Sequence, residues 1–361
     1  MPKKGIFHLV LILCFHYSFG QTQPNNIDEQ AQVYFDIIRP EFKGDLAYNT
    51  VAFVEKFWRV AGNTGFNESV YLIEEKLKDA GYVLESEAKQ SDRLTYRIES
   101  REMNRPTWEP VTASLTITEE KRALLHHLSN RNMVYLNSFS TPENGIEAEV
   151  VWIKKVEDLK DIEVKGKIVF AEMSVRRLYQ PAMVEGGAIG ILTYDMPSYL
   201  QPEKNVSSIQ FRSLRYDAEQ KPWAIALSYE AKERIKKAIT NGQSTFKVDI
   251  QTKHYESEEL TVVANVRGSA LPNESLVFSA HIQEPGANDN ASGVGAQLEM
   301  ASITAKLLNN GSIDPKRTIT YLWGDEIIST RRYIQEEDKR TAAINWGISL
   351  DMVGEDTEKT G

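Results

Sequence analysis

Residues 275–308 place the strongest constraint on how this chain can fold. SLVFSA is a short apolar run suited to a buried strand, and HIQEPGANDN is a Gly/Pro-rich turn that carries polar side chains. GVGAQLEMASITAKLL then returns Val294, Leu298, Ala301 and Leu308 to one helical face. A strand, a turn and a helix in that order belong to a parallel sheet with helices against it. His281 and Asp289 therefore fall at the carboxyl end of a strand, where open α/β sheets place their ligand crevice.

The same arrangement recurs twice downstream. RTITYLW runs into Gly324, Asp325 and Glu326, and INWGISL runs into Asp351. If these strands are parallel neighbours, one imidazole and four carboxylates converge on a single sheet edge. Any one of these acids is ordinary in an exposed loop, but their recurrence at successive strand ends is not. A mixed imidazole and carboxylate set suits zinc with an open coordination position, or two zinc ions sharing one carboxylate.

With these residues in place, the chain resembles metallopeptidase family 28, the zinc aminopeptidases of the bacterial leucyl and vacuolar type. The family's G-A-x-D-[ND]-[AG]-S-G block is matched by GANDNASG, its acidic pair by the Asp325 and Glu326 of GDE, and its L-D-M strand end by Leu350, Asp351 and Met352. RVAGNTGFNESVYLIEEKLKDAGY is similar to the family's opening Arg/Gly-rich turn and first helix. The resemblance implies an α/β zinc-exopeptidase fold, aminopeptidase-like, with a mixed and mostly parallel sheet flanked by helices. It further implies peptide substrates and two zinc ions bridged by Asp289. His281 and Asp351 would hold one zinc, Glu326 would help hold the other, and Asp325 would be the general base.

Three departures qualify these expectations. The family's last zinc ligand is a downstream His, yet no His follows His281 in this sequence. The resemblance thus implies that the chain lacks the family's C-terminal part, with an incomplete and inactive two-metal site as the consequence. Gln283 stands where the family usually has an Asp, and its amide can hydrogen-bond in the catalytic site without charge. Asp325 replaces the usual Glu and is one methylene shorter. Two other readings of the same fold stay open: a single-zinc acyltransferase of the glutaminyl cyclase type, and a catalytically silent binding ectodomain.

Lys3 and Lys4 precede the apolar run IFHLVLILCF, and Ser18, Phe19 and Gly20 precede polar Gln21. This reads as a secretory signal peptide over residues 1–20, too short for a lasting membrane anchor, and points to a secreted or periplasmic protein. Cys14, the only cysteine, lies within it, so the mature chain has no disulfide framework. The formal net charge is −9, and loss of two lysines with the leader makes it more negative. That balance argues against nucleic-acid or anionic-membrane binding.

Residues 21–129 are expected to form the first part of the peptidase domain, helices followed by polar strands. Asn67 is the expected N-cap of a helix with Val70, Ile73 and Leu77 on its apolar face, and Gly81 the expected stop. Residues 130–250 change pattern: EAEVVWI, GKIVFAEM, GAIGILTYD and PWAIALS read as short strands, with AMVEGG and YEAKERIKKAI as helices between them. This segment resembles a β-rich protease-associated domain, inserted before the second part of the peptidase domain at residues 251–361. Gly186, Gly187 and Gly190 lack GxGxxG order and serve packing rather than a nucleotide. His126 and His127 are read as surface or domain-boundary residues of a polar helical stretch, and His254 as part of a charged link between domains.

Overall fold

In the computed structural model, residues 29–120 and 122–356 are described, and the expected signal peptide lies outside them. The contacts divide the chain into two units at Glu41. The first contributes α1 (Glu29–Ile38) and a 3-10 turn. The second, residues 42–361, carries every other element.

The second unit opens with α2 (Asp45–Val54), α3 (Thr64–Asp79), β1 (Val83–Leu84) and β2 (Leu94–Glu102). There follow β3 (Thr107–Ile117), β4 (Leu125–His126), β5 (Ile146–Trp152), β6 (Ile168–Ala171), α4 (Val175–Leu178), β7 (Gly190–Thr193), β8 (Ala224–Ala226), α5 (Tyr229–Thr240) and β9 (Thr245–Tyr255). The chain continues through β10 (Glu258–Val266), β11 (Leu271–His281), α6 (Ala291–Asn309), β12 (Arg317–Gly324), α7 (Glu326–Gln335), α8 (Asp338–Ala343) and β13 (Ile344–Ser349).

Two sheets result. The first runs β1-β2-β10-β12-β11-β13, and the second β4-β3-β9-β5-β6-β7-β8. In the first, β12 and β13 lie on either side of β11 and both run parallel to it, while β10 is antiparallel to β12 and to β2. This is the mixed sheet expected from the sequence, and the three strands that lead into acidic loops share one direction. The second sheet joins an antiparallel part to a parallel run, β5 to β8. It already includes β3 and β4, so it takes in residues ahead of position 130.

Side-chain alternation explains why helices cover both faces of the first sheet. Val262, Ala264 and Val266 point to one face, where they join Val70, Ile73 and Leu77 of α3 and Val294, Leu298 and Ala301 of α6 in one apolar core. Val263 points to the other face, with Leu322 and Tyr333 of α7. Each fully buried Val, Leu or Ile side chain among them contributes about 1.5–3 kcal/mol. Packing of α6 against α2 is close: a Cβ on Gly295 would lie 2.5 Å from the Ala47 carbonyl oxygen. The buried Glu299 carboxylate, also on α6, accepts from the backbone N–H groups of Lys43, Gly44 and Ala47 and so caps α2.

Three local expectations are corrected. The N-cap of α3 is Asn63, not Asn67, because the Asn63 side chain accepts from Phe66 N–H one turn earlier. Gly81 does end the region, with φ of +94° just past the helix. His126 and His127 are not helical: His126 lies in β4 opposite Ser114. His254 is not in a link but within β9, its ring stacked on Phe139 at 4.2 Å between centroids. Alternation on a long strand hides in sequence when charged residues occupy its exposed face, as Lys247 and Lys253 do here.

Candidate metal centre

Parallel pairing brings the three strand ends together. His281 is paired in register with Gly324 at the end of β12, and Ser279 with Ser349 at the end of β13. The residues that follow each strand end therefore meet at one edge. His281 is buried, and its Nε2 lies 3.4 Å from Asp289 Oδ1 and 3.4 Å from Asp351 Oδ1. The three donor atoms all lie within 4.8 Å of one another.

The GANDNASG block builds this convergence from hydrogen bonds. Asn290 caps α6 by accepting from Gly293 N–H, donates from Nδ2 to the Leu350 carbonyl at 2.9 Å, and accepts from Met352 N–H at 3.2 Å. Asn288 Oδ1 accepts from Gly354 N–H at 3.0 Å, and Ser292 Oγ accepts from Val353 N–H at 3.1 Å. One loop thus grips residues 350–354 and sets Asp351 beside Asp289. Gly293 is required there, since a Cβ would lie 2.2 Å from the Leu350 carbonyl oxygen. The Asp289–Asn290 peptide bond is cis.

His281 Nδ1 donates to the Gln283 carbonyl at 3.2 Å. The ring is oriented by that bond, and Nε2 is turned toward the two carboxylates. Such a trio needs positive charge at its centre, from a proton or from a metal ion. The two 3.4 Å separations fit the latter, since with bonds of about 2.0–2.1 Å tetrahedral ligand atoms sit about 3.3–3.4 Å apart, and the two carboxylates lie within 4.8 Å of each other. His281, Asp289 and Asp351 can therefore hold a zinc ion.

Asp325 and Glu326 border the same cleft, which has a volume of about 560 Å³ and includes Ile327 and Ile334 on its wall. Asp325 caps α7, accepting from Ile328 N–H, and its own N–H donates to Ser329 Oγ at 2.7 Å. Burial, with the nearby Glu259 charge, pushes the Asp325 carboxyl up to about 6. Gln283 ties the two strand ends together: its Oε1 accepts from Glu326 N–H at 2.6 Å, and its Nε2 donates to Glu326 Oε2 at 3.4 Å. Glu326 itself is not part of the three-residue cluster.

Three contributors escaped the sequence reading. Glu284 shares a hydrogen bond with Asp289, and burial followed by the Asp289 charge pushes its carboxyl up to about 8. Arg59, fully buried, donates from Nε to the Ile282 carbonyl at 2.7 Å and from Nη2 to the Gly286 carbonyl at 2.9 Å, holding the loop from below. Burial draws its guanidinium down to about 10. Glu259 accepts from Ser329 Oγ at 2.6 Å and pairs with Arg332, supporting the α7 turn. Arg59 had a signal, its place in the RVAGNTG turn. Glu284 and Glu259 are single acids in otherwise unremarked positions and had none.

A mixed sheet flanked by helices, with His and carboxylates gathered at its parallel strand ends, defines an α/β fold. Residues 261–360 match the model of Peptidase family M28. Over those residues the chain is similar to this family. Over 119 residues it is 34% identical to an aminopeptidase of Pseudomonas aeruginosa, a match covering 30% of this chain and 20% of that protein. Over 279 residues it is 25% identical to carboxypeptidase Q of Xenopus laevis, covering 71% of this chain and 58% of that protein. The chain thus spans about a fifth of the first relative and somewhat more than half of the second. The structure of a zinc aminopeptidase from Bacillus subtilis superposes with a TM-score of 0.58 at 17% identity, covering 87% of this chain and 70% of that one.

Proposed function

We propose that this chain carries the metal centre of an exported zinc aminopeptidase, with an inserted protease-associated domain formed around residues 130–250. The observation that carries the reading is His281 Nε2 facing Asp289 and Asp351 at 3.4 Å each. Zinc held by these three residues would polarise a scissile carbonyl and lower the pKa of a water. A second zinc position would draw on Asp289 and Glu326, two carboxylates from this chain.

The chain's own residues supply the remaining functions. Asp325 borders the cleft from the start of α7, where it can take the attacking water's proton and return it to the leaving amine. Gln283, bonded to the Glu326 backbone and side chain, keeps that turn in register with the His281 loop. Ile327 and Ile334 offer an apolar wall for the side chain of a peptide's first residue. The carboxylates around the metal positions can receive a free amino terminus, which would confine cleavage to that residue.

Hydrolysis of aminoacyl p-nitroanilides tests this reading. The zinc-loaded protein, as the complete gene product, should release p-nitroaniline from free but not N-acetylated substrates and stop on chelation. Asp289→Ala should reduce the rate by about a hundredfold or more, and Asp325→Asn by a similar factor with zinc retained. Turnover that survives both chelation and Asp289→Ala would contradict it.

A further inference from the structure

The parallel strands of the second sheet open into another groove at their carboxyl ends, the usual place for a ligand crevice in such a sheet. Two cavities, of about 460 Å³ and about 330 Å³, share Val175, Arg176 and Ser213 and so adjoin. Ser174 and Arg176 follow β6, and Asp195 follows β7. The far wall is the segment from Gln210 to Arg215, and it is firmly held. Leu136 N–H donates to the Arg212 carbonyl at 2.8 Å, Leu214 N–H to the Leu136 carbonyl at 2.9 Å, and Asn137 Nδ2 to the Leu214 carbonyl at 2.9 Å.

Three guanidiniums border this groove: Arg176, Arg212 and Arg215. Arg212 donates to the Asp195 backbone carbonyl at 2.6 Å, and none of the three is within ion-pair distance of a carboxylate among the described residues. Against them stand the Asp195 carboxylate on the groove and Asp217 near Arg215, so three guanidiniums face two carboxylates on a chain of net charge −9. Beside the arginines lie acceptors. Gln210 Oε1 is buried with no hydrogen-bond donor among the described residues, and the exposed Asp195 carboxylate lies on the same groove. A buried acceptor left unmet is costly, so it points to a donor that arrives with a ligand.

We propose that this groove binds an extended acidic peptide. Its carboxylates would meet Arg176, Arg212 and Arg215, whose planar forks suit carboxylate recognition. Its backbone N–H groups would meet Gln210 Oε1 and Asp195. An inorganic anion answers the arginines but leaves the buried Gln210 Oε1 unmet, whereas a peptide answers both. The paired cavities also give the length that an extended chain needs. The site is independent of the metal centre and stands or falls separately from it.

Fluorescence anisotropy with an N-acetylated, fluorescein-labelled decapeptide of alternating Glu and Gly tests this, using the whole chain in the presence of EDTA. Binding should saturate, weaken as salt rises, and persist in inorganic phosphate at ionic strength matched with chloride. The Lys-Gly counterpart should not bind, a comparison made on the unaltered protein. Arg176 and Arg215 are both exposed, so an Arg176→Glu, Arg215→Glu variant should keep its circular dichroism spectrum and lose affinity by about tenfold or more. Absence of saturable binding, equal affinity in the folded double variant, or displacement by phosphate at matched ionic strength would overturn the proposal.

Discussion

At the residue scale, the metal position is set by three side chains whose donor atoms lie within 4.8 Å of one another. His281 closes β11 and Asp351 follows β13, each at the end of an apolar run, while Asp289 lies in the turn before α6. The work of Asn290 was not identifiable from the sequence, because its three hydrogen bonds reach residues 60 and 62 positions away as well as its own helix. His254 is a second such case. Wedged beside Phe139 and Tyr216, with a buried Nε2 that has no partner among the described residues, it has its imidazole pushed below the ordinary range by burial. A folded value below the unfolded one means that the folded state binds fewer protons. Stability is therefore expected to fall as pH drops through about 6.5. Urea unfolding at pH 8 and pH 5 checks this: His254→Asn should be less stable at pH 8 but lose less between the two pH values than the unaltered protein. Equal losses in both proteins would show that His254 does not carry the dependence.

At the scale of elements, the sequence reading placed β5 to β8, α5, β11, α6, β12 and β13 correctly, because apolar runs bounded by Gly, Pro or acids have few other uses. It missed β4 and misjudged the cap of α3 because both are decided by contacts rather than by pattern. The β4 strand is two residues long and exists only through β3. Asn63 and Asn67 are both good caps by type, and Asn63 prevails because its Nδ2 also reaches the Trp58 carbonyl at 2.8 Å. The approach of α6 to the end of β13 is equally a matter of contact. Gly293→Ala would push a methyl group into the Leu350 carbonyl, so α6 and the Asp351 loop must separate. We expect a loss of about 1–3 kcal/mol in denaturant unfolding together with weaker zinc binding. Unchanged zinc affinity in that variant would show that the clamp does not set the position of Asp351.

Across the whole second unit, two crossings side by side join the sheets: β2 leads into β3, and β9 leads back into β10. The pairings Glu102 with Glu258 and Thr107 with Tyr255 flank these crossings, so the ribbon is continuous through both layers. This topology explains why the second sheet begins ahead of residue 130. The sequence pattern changes where apolar strands begin, whereas the pairing begins in the polar strand β3 that carries the chain across. Each sheet keeps its own apolar core and its own crevice at parallel strand ends. Changes in one crevice should therefore leave the other intact.

Zinc titration of the metal-free protein by calorimetry tests the central claim most directly. One tightly bound zinc is expected, since His281, Asp289 and Asp351 are the one three-donor cluster found among the described residues. Binding should be lost in His281→Ala and Asp351→Ala and be unchanged in Asp195→Ala, which alters only the second crevice. Tight zinc binding that persists in both His281→Ala and Asp351→Ala would contradict the assignment.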